Sequence, residues 1–313
     1  MTPGEQIVGW LRASAVPLSG EELARRLGCS RAAVWKQVAA LRRHGWAITA
    51  RHAIGYTLAE TPDRLGPAEL APHLAGNWRR VEWHASLDST QRVARELARA
   101  GAAEGTVVFA ETQTAGRGRL GRQWHSPPGV NVYASVVLRP ALAPAAAPQV
   151  ALVAGLAVAD AVRASGIDAQ LKWPNDVVLA TPAGLAKLAG ILAEGRPQQG
   201  WAVLGIGLNV AVRLEQLPVE LRGSAATLGR SAAEVEPALA DLLVALTRWL
   251  ERPELDTLAA WRARDALRGR AISWGTGRGR AQGIDGAGRL VVALAGGGRT
   301  TLDAGEVHLL QVG

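Results

Sequence analysis

At 313 residues and 48% hydrophobic content, the chain is long for one domain and has ample material for two or three with a sizeable core. Its single cysteine, Cys29, excludes an internal disulfide and a cysteine metal cluster, while the net charge of +8 suits an anionic partner without proving one. The start Met1-Thr2-Pro3-Gly4-Glu5 lacks the basic and apolar regions of a signal peptide, and the apolar run 150–159 is too short for a bilayer, so the expectation is a cytoplasmic protein without a membrane partner.

Residues 1–62 carry eight Lys or Arg against four Glu, half of the charge excess in a fifth of the chain. Thr2-x-x-Glu5 and Ser19-x-x-Glu22 have capping-box spacing, which predicts helices starting at Pro3 and Gly20. Gly28-Cys29-Ser30 makes a short turn, and Ser30 is placed to cap a third helix with Val34, Val38 and Leu41 at helical spacing, ended by Gly45. Residues 46–50 and 55–58 read as two strands around a basic tip, Arg51-His52. This order predicts a winged helix-turn-helix whose third helix enters a DNA groove, with Ser30, Arg31, Lys36, Gln37 and Arg51 as candidates for bases or phosphates. The alternative is a small domain that serves as a protein contact or regulatory cap. Trp35 could stack on a ligand or pack on the wing.

Thr61-Pro62-Asp63 reads as a linker, and residues 63–267 read as an α+β domain with a mixed or mostly antiparallel sheet. Strands are predicted at 106–110, 131–138, 170–173, 177–179 and 202–206, with helices after Asp88-Ser89-Thr90 and at Pro148. Residues 268–313 change to short strands at 271–274, 281–284, 290–294 and 307–310. A hairpin turn falls at 285–288 and a β-turn within 275–280, which together suggest a small SH3-like barrel.

Two features carry chemistry. The first is Gln113-Thr-Ala-Gly-Arg-Gly-Arg-Leu-Gly-Arg-Gln-Trp124, three guanidinium groups on glycine-hinged backbone, suited to a lid over a small anion or to a plain solvated basic loop. Its match to a dinucleotide fingerprint lacks the helix and the acidic residue that such a site requires, and no P-loop sequence occurs. The second is lysine usage: among 35 Lys and Arg, lysine stands only at 36, 172 and 187, which points to a compact ammonium where a guanidinium does not fit. Lys172 opens Lys172-Trp-Pro-Asn-Asp176 and Lys187 opens Lys187-Leu-Ala-Gly-Ile-Leu192.

The arginine lid, the Lys-Trp-Pro-Asn-Asp pentad and Lys-Leu-Ala-Gly-Ile-Leu, flanked by Asp88-Ser89-Thr90 and Gly205-Ile-Gly-Leu-Asn209, resemble the biotin-protein ligases in order and spacing over nearly the whole chain. The N-terminal extension resembles the bifunctional members that also repress biotin-synthesis genes. The resemblance implies a central biotin/lipoyl ligase-like fold and a C-terminal SH3-like barrel. The implied substrates are biotin and ATP, with Mg²⁺ accompanying ATP and no metal site otherwise. The implied partners are the biotin carboxyl carrier protein of acetyl-CoA carboxylase, operator DNA, and a second copy of the chain once biotinoyl-AMP is bound.

Lys187, Arg119, Arg122 and Asp176 are the implied catalytic groups. Ser89, Thr90, Gln113, Gly116, Arg117, Arg119, Lys187, Gly190 and Gly205 would bind biotin, with Gly190 and Gly205 leaving room beside the ring and tail. Arg119, Arg122, Trp124, Lys172, Asn175 and Asn209 would hold ATP or the adenylate. Ser89 and Thr90 could instead be helix caps, and Lys172 and Asp176 a structural ion pair. Residues 213–224 are expected to close on adenine. Leu120 departs from the family pattern, occupying a lid position often basic in relatives, and the hairpin between Asp176 and Lys187 is longer than usual. Lipoate or octanoate ligases lack the lid and the pentad. The remaining alternatives are a biotin-responsive transcription factor without catalysis, and a ligase whose winged helix no longer regulates.

Overall fold

The computed structural model describes residues 3–14, 16–43, 48–51, 54–58, 78, 80–139, 147–196, 199–275, 277–303 and 305–310. The expectations that fall on Thr2, Gly45 to Ala47, His52 and the linker at 61–63 lie outside them. Helices α1 (Pro3–Ala13), α2 (Gly20–Leu27) and α3 (Arg31–Arg43) precede a hairpin of β1 (Ile48–Arg51) and β2 (Gly55–Leu58), the predicted winged order. Ser19 Oγ accepts the Glu22 amide at 3.0 Å as the cap predicts. The Glu22 carboxylate, however, pairs with Arg25 and Arg26 instead of closing the box, because two guanidinium groups one turn on outcompete one amide. Gly28 ends α2 at φ +65, and Ser30 Oγ caps α3 by accepting the Ala33 amide at 3.2 Å. Ile7, Leu23, Val34 and Val38 are sealed in the core of this unit. Each such side chain contributes roughly 1.5–3 kcal/mol by leaving water. Ala85 and Trp83 of the following domain pack on the same cluster.

The central sheet has seven strands in the order β3-β4-β5-β9-β8-β7-β6. They are β3 (Arg80–His84), β4 (Thr106–Ala110), β5 (Asn131–Leu138), β6 (Gln170–Lys172), β7 (Asp176–Thr181), β8 (Gly184–Arg196) and β9 (Trp201–Asn209). All neighbours pair antiparallel except β3 and β4, which helix α4 (Thr90–Arg99) joins as a parallel crossover. Every residue of β4 and β5 is buried because both faces are covered. Val108, Ala110 and Val137 face Ala94 and Ala98 of α4. Val107, Phe109 and Val136 belong to the main core with α5 (Ala147–Arg163) and α7 (Val235–Leu250). A short α6 (Val219–Arg222) follows β9, and α8 (Glu254–Ala263) follows α7. Among the described residues no helix is long and apolar enough to cross a membrane.

The C-terminal sheet is antiparallel with the order β13-β12-β11-β10-β14. Its strands are β10 (Ala271–Trp274), β11 (Gly277–Ile284), β12 (Leu290–Leu294), β13 (Arg299–Leu302) and β14 (Val307–Leu309). The β-turn expected within 275–280 is overturned from Gly277 onward. Alternating Gly277, Arg278, Gly279 and Arg280 extend β11, because Gly279 lets the backbone of Ala293 approach where a Cβ would stand 2.4 Å from its oxygen. Ile272, Leu290, Val292 and Val307 join the main core, and Trp173 Nε1 donates to Gly288 O at 3.1 Å, so the two sheets share one interior.

Candidate active site

The lid starts where Gln113 bridges to Leu87 beside β4 and folds back on itself through an Arg117–Gln123 bridge and a Gly118 N–H to Arg122 O bond of 2.7 Å. Its tip is a 3₁₀ turn at Arg119–Gly121, in which Leu120 takes φ 55 and points into solvent at 73% exposure. Gly116 stands at the lid's base and does not line the cavity. A Cβ there would lie 2.6 Å from Trp124 O and 2.8 Å from Ser126 Oγ, so this glycine serves close packing. Beneath the lid lies a cavity of about 460 Å³ that gathers Ser89, Thr90, Gln113, Arg117, Arg119, Arg122, Trp124, Lys172, Asn175, Asp176, Lys187, Gly190, Gly205 and Asn209.

One wall is a neutral polar cluster. Ser89 sits at the N-cap of α4 yet its side chain makes no capping bond; the residue is 1% exposed and its hydroxyl has no hydrogen-bond partner. Thr90 donates through both N–H (2.9 Å) and hydroxyl (3.1 Å) to Gln113 Oε1, whose amide donates to Ser126 Oγ at 3.0 Å. Two residues that sequence reasoning missed complete this cluster. Ser135 Oγ lies 2.9 Å from Thr90 Oγ1 and 3.1 Å from Gln91 Oε1, while the Gln91 amide donates to Glu194 at 3.0 Å. The only signal for Ser135 is one hydroxyl interrupting the apolar run of β5.

The other wall is cationic. Lys187 Nζ pairs with Asp176 Oδ1 at 2.7 Å, so Asp176 is committed to Lys187 and the structural ion pair with Lys172 is not formed. That ammonium lies 5.4 Å from the centre of the Trp124 ring. The indole rests on Gly190 and Gly207, register partners across β8 and β9, where a Cβ would stand 2.8 and 2.5 Å from ring carbons. The room expected beside Gly190 is thus filled by Trp124 and Lys187, and that beside Gly205 by Gln91, 2.4 Å from the missing Cβ. Arg119 turns inward to Asn175 Oδ1 at 3.4 Å, and Asn175 donates to Ile191 O at 2.7 Å. Burial pulls the Arg119 guanidinium below its usual range, and Asp176 and Glu306 oppose that shift. Arg122 pairs with Glu306 at the rim of the cavity.

Asn209 has a structural task as well: its amide donates to Ala226 O at 2.9 Å and its oxygen accepts from Asn131 at 3.2 Å. Lys187 N–H bonds Ser224 O at 2.7 Å, which sets Leu217, Leu221, Ser224 and Ala225 along the cavity beside the lysine. Gly305, Glu306, Val307 and His308 of the C-terminal sheet also line it, a contribution that sequence reasoning missed. Preorganised cations and amides around one cleft suit a reaction that builds charge on phosphoryl oxygens.

In the winged unit Arg31, Trp35, Lys36 and Arg51 are exposed, Gln37 is half-buried against α1, and Ser30 is spent on its cap. Trp35 is 61% exposed, so it does not pack on the wing.

Residues 83–210 match the Biotin/lipoate A/B protein ligase family, residues 5–57 an HTH domain, and residues 274–310 the Biotin protein ligase C terminal domain. The chain is 38% identical over 223 residues to the bifunctional ligase/repressor BirA of Bacillus subtilis, covering 69% of this chain and 67% of that protein. It is 38% identical over 243 residues to the biotin–[acetyl-CoA-carboxylase] ligase of Paracoccus denitrificans, covering 71% of this chain and 98% of that one. The biotin protein ligase of Aquifex aeolicus, solved in complex with biotin and ATP, superposes with a TM-score of 0.64 at 28% identity, over 75% of this chain and all of that one.

Proposed function

Because the chain belongs to the biotin protein ligase family, we propose that it joins biotin to AMP and passes the biotinyl group to a lysine of the biotin carboxyl carrier protein of acetyl-CoA carboxylase, and that it also represses transcription through its winged helix. The supporting observation is the cavity itself, in which an unpartnered buried Ser89 hydroxyl and the Lys187 ammonium occur under one arginine lid.

Ser89, Thr90 and Gln113 pair the ureido ring of biotin, and Ser135 and Gln91 hold Thr90 in place. An analogue without the ureido group leaves the Ser89 hydroxyl unsatisfied, which is a basis for discrimination. A biotin carboxylate oxygen attacks the α-phosphorus in line, the P–O bond to pyrophosphate breaks, and the mixed anhydride forms. Carboxylate and phosphate repel each other, so Lys187 and Arg119 supply the charge that lets them meet. Lys187 leaves Asp176 to do so. The freed carboxylate then takes the proton of the acceptor amine as that amine attacks the acyl carbon and AMP departs. Arg117, Arg122 and Lys172 clamp phosphate oxygens, and Asn175 keeps Arg119 in register. Leu217 and Leu221 face the adenine.

Mg²⁺ enters with ATP. Among the described residues no cluster of three His, Cys, Asp or Glu forms a metal cage, and a hard cation already bound to phosphates and water needs one carboxylate, which Asp176 offers. Held there, it would supply charge that screens the phosphates.

Repression follows if the bound adenylate orders the lid and favours a second copy of the chain, setting two winged helices at a fixed spacing on operator DNA. A cytoplasmic setting fits these substrates. Incubation with biotin, MgATP and a carrier domain tests the proposal by intact mass. A biotinyl adduct on the carrier supports it; biotin bound without any adduct favours the sensor alternative.

A further inference from the structure

The C-terminal sheet reaches into the site at one charged residue. Glu306 immediately precedes β14, and the pairing of Val307 with Trp274 of β10 fixes where its carboxylate stands. That carboxylate accepts a hydrogen bond from Arg122 of the lid, across 184 residues of sequence. His308 Nε2 lies 3.9 Å from it, and Glu306 also acts electrostatically on Arg119. Five cations line the cavity, Arg117, Arg119, Arg122, Lys172 and Lys187, and their mutual repulsion opposes a lid folded over an empty site. Two of them have an anion to hold them: Asp176 on Lys187, and Glu306 on Arg122. The Arg122 side chain is 63% exposed, which makes its ion pair weak enough to exchange. A nucleotide phosphate offers more charge than a carboxylate and the same forked geometry for a guanidinium.

We infer that Glu306 is a positioning residue that holds Arg122 in the ligand-free site and yields it to a phosphate of the incoming nucleotide. The inference rests on the ligase function proposed above. Loading ATP then detaches the lid from the C-terminal sheet, so the third domain responds to occupancy of the cavity. Glu306 stands in for phosphate, and its removal helps the nucleotide by removing a competitor.

The test uses the full chain with Glu306→Gln and Glu306→Asp, in biotin-dependent exchange of labelled pyrophosphate into ATP and in hydrogen exchange of the 116–124 segment. Glu306→Gln is expected to lower KM for ATP by about two- to fivefold, the size expected for an exposed ion pair, a larger change than in KM for biotin. The same variant exchanges faster in the lid only when ligand-free, and Glu306→Asp returns both properties toward those of the parent. A KM for ATP that stays the same or rises in Glu306→Gln would overturn the inference, as would unaltered lid exchange in the ligand-free variant. Absence of pyrophosphate exchange in the parent protein would overturn the ligase function and the hand-over to phosphate with it. The ligand-free hydrogen exchange reports on the Glu306 contact separately.

Discussion

Ser89 separates stability from binding. Its hydroxyl is buried and unpartnered, so Ser89→Ala removes an unsatisfied polar atom and leaves the ligand-free melting temperature unchanged or slightly higher. The same change deprives biotin of a hydrogen bond worth about 1 to 1.4 kcal/mol, a five- to tenfold loss of affinity measurable by calorimetry. Equal losses in both measurements would instead make Ser89 a structural residue. Ser89 was legible through the resemblance that Asp88-Ser89-Thr90 carries, since its residues alone read equally well as a helix cap. Gln91 and Ser135 were not: they look like ordinary members of a helix and a strand until the fold brings them within 3.1 Å.

At the level of elements, the glycines of β8 and β9 make a flat floor for one ring. A Cβ on Gly207 would stand 2.5 Å from Trp124 Cε2, with backbone of two paired strands behind it, so the indole must yield. Gly207→Ala is therefore expected to cost about 1–3 kcal/mol by overpacking and to slow adenylation by displacing the ring on which Lys187 lies. Denaturant unfolding and pyrophosphate exchange check the two effects. Strands β4 and β5 stand where their β-branched runs place them. Strand β8, with Leu-Ala-Lys-Leu-Ala-Gly-Ile-Leu-Ala, has no period-2 contrast in its residue types, since its cavity face also carries Leu185, Gly190 and Leu192, and it was read only as a motif. Helix α7 escaped notice for a related reason: its apolar residues run almost continuously around the helix. The pairing of Arg122 with Glu306 joins two domains and has no local signature at all.

Across the whole molecule, the central domain and the C-terminal sheet line one cavity, and the winged unit adds a basic helix. The winged unit carries exposed Arg31 and Lys36 on α3, and DNA binding through them should follow counterion release. Lys36→Ala is expected to weaken binding uniformly across sequences and to reduce the slope of log affinity against log salt by about one if it touches a phosphate. Loss confined to particular sequences would place it on a base. Biotin and MgATP together should tighten operator binding through dimerisation, a coupling of about 1–3 kcal/mol being enough for a switch. Sedimentation with and without the two substrates checks the dimer. Operator affinity indifferent to both would leave a ligase whose winged helix does not regulate.

If the cavity makes a biotin–AMP anhydride with Lys187 as its indispensable cation, biotin-dependent exchange of labelled pyrophosphate into ATP reads that step most directly. The parent protein should exchange only when biotin is present, and Lys187→Ala should be slower by on the order of 10² to 10³. Lys187→Arg should fail too, since a broad planar guanidinium would not reproduce the compact charge that stands 2.7 Å from Asp176 and 5.4 Å from the centre of the Trp124 ring. Exchange in Lys187→Ala at the parent's rate, or none in the parent, would contradict the claim.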